Sequence, residues 1–150
     1  MPLIVIETWI DAPRERCFDL ARSVDAHVAS TAQTAERAVA GVTSGVLELG
    51  DEVTWEARHL GVRQRLTARI TQLERPARFT DEMVRGAFRS FRHVHEFRSD
   101  SEGTVMIDRF EFVTPLGWLG RIADILFLEA YLRRFLGTRA AELKRMAEGG

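Results

Sequence analysis

The strongest constraint on this chain is a change of hydrophobic period close to residue 114. From Ala35 to Val113, apolar and polar residues alternate in short runs separated by turn signals, a period of two that only extended strands satisfy. Beyond Thr114-Pro115-Leu116-Gly117 the period becomes helical. Leu119, Ile122, Ala123, Leu126, Ala130 and Phe135 recur at spacings of three and four, with Leu143 and Met146 further on. Short turns make the strands antiparallel neighbours. One antiparallel sheet with an apolar face needs a cover, and the final helix is long enough to provide it.

The start of the chain adds a strand and two short helices. Leu3 to Ile10 alternates around β-branched residues, and Asp11-Ala12-Pro13 punctuates it. Pro13 suits a first helical position, since its missing N–H costs nothing there. Arg14 to Arg22 then reads as a helix burying Cys17, Phe18, Leu20 and Ala21. Asp25 is the expected cap of a second short helix. No Gly/Ser-rich linker or repeat divides the 150 residues, so residues 1–150 read as a single domain with one core.

Composition excludes more than it assigns. A formal charge of -1 offers no electrostatic reason to expect nucleic acid. Arg63, Arg65 and Arg69 share one strand face, which reads as a solvated outer surface. The longest dense apolar run, Ile125 to Leu128, is far too short for stable membrane insertion. The single Cys17 rules out an internal disulfide, and no basic-then-apolar leader is visible, so the expected setting is cytoplasmic. Lys144 is the only lysine beside twenty arginines, a bias that suggests a bacterial genome rich in G+C.

Candidate chemistry concentrates in Phe91-Arg92-His93-Val94-His95-Glu96-Phe97. As a strand it puts Phe91, His93, His95 and Phe97 on one face, with Asp108 on the next strand in a position to lie opposite. Two histidines and a carboxylate could hold a metal, pass a proton, or form a hydrogen-bonded polar cluster in a pocket wall. No HExxH pattern or thiolate cluster accompanies the pair, so neither a metal nor another cofactor is assigned. No GxSxG or phosphate-binding glycine loop is present.

Ile10-Asp11-Ala12-Pro13 before Cys17-Phe18-Asp19-Leu20, Gly86-Ala87-Phe88 before the histidine strand, Gly103 to Asp108, and Pro115 to Gly120 before the long helix resemble the helix-grip superfamily. That superfamily includes START-like (SRPBCC) lipid-transfer domains, the birch-pollen-allergen fold and bacterial polyketide cyclase/dehydrase-like proteins. The resemblance implies an α+β fold: a seven-stranded antiparallel sheet wrapped around the carboxy-terminal helix, with two short helices after the first strand. It also implies a hydrophobic pocket between sheet and helix.

The expected ligand is a small hydrophobic molecule, aromatic, polyketide-like or lipid-like. The sheet would contribute Trp55, His59, Leu66, Phe79, Phe91, Phe97, Phe110 and Phe112, and the helix Ile122, Leu126 and Ala130. His93, His95 and Asp108 would hold its polar group. The alternative is a cyclase, dehydrase or isomerase in which His93, His95 and Asp108 move protons. The sequence favours binding without catalysis. Ile125, Phe127 and Leu128 widen the helix stripe; contact with the short helices accounts for this most simply, with a homodimer as the other reading.

Overall fold

The computed structural model describes residues 2–114 and 122–149, with side chains in the last helix described from 126 onward. The elements run β1 (Leu3–Ile10), α1 (Arg14–Ala21), α2 (Val24–Ser30), a 3-10 turn (Ala32–Thr34), β2 (Arg37–Gly41), β3 (Glu52–His59), β4 (Val62–Glu74), β5 (Arg78–Arg85), β6 (Ser90–Asp100), β7 (Gly103–Val113) and α3 (Ile122–Gly149). The seven strands form one sheet in the order β1-β7-β6-β5-β4-β3-β2, and every neighbouring pair is antiparallel. Tight turns impose this order from β3 to β7, because each strand pairs with the one that follows it.

One sheet face carries the core. Ile4, Val53, Trp55, Ala68, Ile70, Phe79, Phe97, Met106 and Phe112 are all buried on it. The opposite face carries ion pairs: Arg37 and Arg65 both reach Glu56, and Arg69 reaches Glu52. The arginine face is therefore a solvated ladder, as its alternation implies. Helix α1 closes one end of the barrel-like sheet by inserting Phe18 edge-on against Phe79 and Phe97, each at 5.4 Å between ring centroids. It is also tied to the end of α3, since Arg16 donates to the carbonyls of Ala147 and Met146.

Two local expectations, the α2 cap and the α3 stripe, need correction. Ser23, not Asp25, caps α2, accepting from the Ala26 amide at 3.1 Å; Asp25 instead accepts from the Gly45 amide. Nothing lies close to Gly137, and α3 runs through it unbroken for 28 residues, about 42 Å. The helix stripe is also rotated. Leu132, Leu136, Ala140, Leu143 and Ala147 are the buried positions, whereas Leu126 is 60% exposed, Phe127 56%, and Ala130 is exposed too.

A helix has one core-facing stripe, and α3 carries more apolar residues than that stripe holds, so spacing alone admits two registers. Phe127 is exposed, and α1 is tied to the opposite, carboxy-terminal end of α3 at Met146 and Ala147. Leu119, and the side chains of Ile122, Ala123 and Ile125, lie outside the described residues, as does Gly117 to Gly120.

Replacing Phe18 by Ala should cost about 3–5 kcal/mol, because it empties a site bounded by two other rings. Leu126→Ala should change stability by no more than about 0.5 kcal/mol, as expected of an exposed position. Urea unfolding of both variants checks the rotated stripe directly.

Candidate functional site

Strand alternation delivers Phe91, His93, His95 and Phe97 to the inner face, and all four are buried. The β6–β7 register places His95 directly opposite Asp108, and the β5–β6 register places Asp81 opposite His93. Asp108 Oδ1 accepts from His93 Nε2 at 3.0 Å and lies 3.1 Å from His95 Nδ1. His95 Nε2 lies 2.8 Å from Asp81 Oδ2. A carboxylate oxygen close to each nitrogen favours the charged form of His95.

Electrostatics agree with that preference. Burial pulls the His95 pKa down, but its hydrogen bonds to Asp108 and Asp81 prevail and hold it above its ordinary value. Burial, reinforced by the neighbouring His95 charge, lowers the pKa of His93. Burial also opposes charge on Asp108 and Asp81, yet their histidine partners keep both carboxyls below the usual range. The group is a closed network in which the carboxylates favour charge on His95 and burial disfavours it on His93.

A metal suits this arrangement poorly. Asp81, His93 and His95 offer ligand atoms within 4.8 Å of one another. The two imidazoles, however, are stacked 3.8 Å apart and only 27° from parallel. A metal binds in the plane of each ring at about 2.0–2.1 Å, and rings stacked face to face direct their lone pairs side by side. Proximity alone does not make a chelate.

The open space lies beside this network, toward β3 and β4, in three chambers with shared walls. The inner one, about 50 Å³, is lined by His27, Trp55, Phe79, Asp81 and Arg139 among others. The middle one, about 60 Å³, lies among Glu36, Trp55, His59, Leu66 and Phe88. The outer one, about 220 Å³, is walled by His59, Leu60, Phe88, Leu128, Tyr131 and Leu132. Trp55 lines both the inner and the middle chamber, and His59 and Phe88 line both the middle and the outer. Leu60 occupies the two-residue β3–β4 turn at a φ of 54°, a conformation that costs a branched side chain energy and sets it at the outer wall.

Polar groups punctuate these walls. His27 stacks on Trp55 at 3.9 Å and contacts Glu36 Oε1 at 2.8 Å. Burial, then the Arg139 charge, lowers the pKa of His27. Burial opposes the Glu36 charge, but His27 and Arg139 keep its carboxyl below the ordinary range. His59 Nδ1 lies 2.7 Å from Tyr131 Oη, and burial lowers the His59 pKa.

Structural comparison places this architecture among known ones. TTHA0849 from Thermus thermophilus matches with a TM-score of 0.80 at 18% identity, covering 97% of each chain. The Zhui aromatase/cyclase from Streptomyces sp. R1128 matches at 0.78 and 14% identity, over 98% of this chain and 93% of that one. The major latex-like protein 151 of Panax ginseng matches at 0.72 and 12% identity, over 97% of each. The chain has the helix-grip fold. No family model matches the sequence, and no curated protein matches it either.

Within this helix-grip frame, Trp55, His59, Leu66 and Phe79 stand in chamber walls. Phe91, Phe97, Phe110 and Phe112 instead pack into the closed core, and His93, His95 and Asp108 are sealed behind Asp81. Leu126 and Ala130 face outward on α3, away from the groove. The Ile122 side chain lies outside the described residues.

Sequence reasoning missed Glu36, Phe88, Tyr131 and Arg139, and expected His27 at the surface or the pocket rim. The β4–β5 pairing carries two bulges, at Thr71 in β4 and at Val84 in β5, and Asp81 stays inward between them. Arg139 carried a usable signal, being a basic residue inside the Leu132-Leu136-Ala140-Leu143 stripe.

Stability should peak near neutral pH. His27, His59 and His93 have folded pKa values below the ordinary value of about 6.5, so the unfolded chain takes up protons first and stability falls as pH drops below that value. His95 is shifted upward, so its contribution is present below the same value and is lost as pH rises through its folded pKa. Urea unfolding across pH 5 to 9, with His95→Gln abolishing the alkaline decline, measures both limbs.

Proposed function

We propose that this protein binds a small hydrophobic molecule in the groove between sheet and α3, without catalysing a reaction on it. The observation that carries this reading is the row of three chambers running from Asp81 and Arg139 to an apolar mouth at Leu128 and Phe88. Each chamber alone is smaller than the roughly 300–1,000 Å³ of a typical ligand pocket. Rotation of Trp55 and Phe88, each of which lines two of them, would join them into one elongated cavity. The fold shared with the Zhui aromatase/cyclase and the ginseng latex-like protein supports the reading by analogy only. No helix among the described residues is long and apolar enough to cross a membrane. Cytoplasmic placement rests on the lone, buried Cys17.

A second reading, acid–base catalysis, gains one specific observation. The histidines that line open space are His59, paired with Tyr131, and His27, paired with Glu36, whereas His93 and His95 are enclosed. A proton-transfer role therefore moves from the histidine strand to the chamber walls.

The binding reading is checked with 1-N-phenylnaphthylamine, an uncharged dye that fluoresces in apolar sites. Wild-type protein should bind it saturably. Ala87→Trp should weaken binding at least about tenfold by filling the outer chamber. Because Ala87 is exposed, the melting temperature should stay within about 2 °C. Unchanged binding in the variant would exclude the groove as the site.

A further inference from the structure

Arg139 lines the inner chamber, and no hydrogen bond or ion pair holds its guanidinium among the described residues. It sits on the buried stripe of α3 between Leu136 and Leu143, and it lines the chamber together with Asp81, Ser23, His27 and Trp55. Its Nε is sealed from solvent and has no hydrogen-bond partner among the described residues. A buried N–H without an acceptor is costly, and proteins rarely keep one unless something else supplies the acceptor. Arg22, the other cation in the chamber wall, is already engaged by Asp19, Glu48 and the Leu47 carbonyl. The space of about 50 Å³ has room for one or two groups the size of a water molecule.

We propose that the inner chamber is a subsite for an uncharged oxygen function of the ligand, a carbonyl or hydroxyl group, received by Arg139 and Asp81. The proposal rests on the binding reading above and names the chemistry that this end of the groove selects. A carbonyl oxygen accepts from Arg139. A hydroxyl also donates to Asp81, whose Oδ2 is committed to His95 while Oδ1 is free to accept.

Charge decides against a carboxylate. Asp81 and Glu36 already lie within the field of Arg139, and Asp108 stands immediately behind His95. These three carboxylates face Arg139 and His95, while Arg22 is already offset by Asp19 and Glu48. A further anion would be stripped of water in a region that is already net negative. An uncharged oxygen meets the donor without adding charge.

The test displaces 1-N-phenylnaphthylamine with three molecules of one shape: 2-acetylnaphthalene, 2-ethylnaphthalene and 2-naphthoate. For the wild type, the ketone should compete about tenfold better than the hydrocarbon and better than the carboxylate, the worth of one buried hydrogen bond. In Arg139→Met the ketone should fall to the level of 2-ethylnaphthalene, whose own affinity should hold within about twofold. A second readout needs no variant: the Arg139 Nε–Hε resonance of 15N-labelled wild type should shift on titration with the ketone and stay in place with the hydrocarbon.

Equal competition by ketone and hydrocarbon, or strongest competition by the carboxylate, overturns the subsite while leaving the cavity intact. Failure of the dye to bind wild type overturns the cavity reading and the subsite together. Equal loss of ketone and hydrocarbon in Arg139→Met, with a silent Nε–Hε resonance, shows Arg139 to be structural only.

Discussion

The interaction on which this molecule depends is one carboxylate shared by two imidazoles in the middle of its sheet. Asp108 accepts from His93 and lies close against His95, and His95 passes the network on to Asp81. Three adjacent strands are joined on their buried face by contacts that cannot be traded for water. A one-residue slip of β6 would turn both histidines outward and leave Asp108 and Asp81 buried without partners. The network therefore specifies register where the surrounding phenyl rings alone would tolerate alternatives.

The same network divides the interior. On one side Phe18, Phe79, Phe97 and Met106 pack beneath α1; on the other Phe91, Phe110 and Phe112 pack against Leu132 and Leu136. Open space lies where these clusters meet β3 and β4, with Phe79 and Leu132 in its walls, and there His27, Glu36, His59, Tyr131 and Arg139 converge. The polar groups that hold the sheet together and those that face the chambers are thus different residues. Asp81 is the exception, belonging to both sets, and it links the rigidity of the sheet to the chemistry of the groove.

How far the sequence was legible follows the range of each interaction. The histidine face needed only a period of two, and Asp108 opposite it needed only a tight turn between consecutive strands. Asp81 was harder, because bulges in both β4 and its own strand β5 set the local geometry. The α3 register was misread at Leu126 and Ala130 because apolar residues circle much of that part of the helix. Whether Phe91, Phe97, Phe110 and Phe112 fill the core or line a cavity is a question of volume, which alternation does not carry. Arg139 was visible as a charge in an apolar stripe, but its empty Nε depends on what the sheet sets against it.

By itself the sequence determined the architecture: antiparallel strands joined by tight turns, two short closing helices, one long cover, and a polar pair embedded among aromatic rings. Those are consequences of period, turn chemistry and order along the chain, all local. Only the tertiary structure decided that the histidine pair is enclosed, that the chambers open beside it, and that Arg139 and Tyr131 from α3 face His27, Glu36 and His59 across them. Such convergence depends on how a twisted sheet and a helix meet at long range, and no spacing within one strand or helix records it.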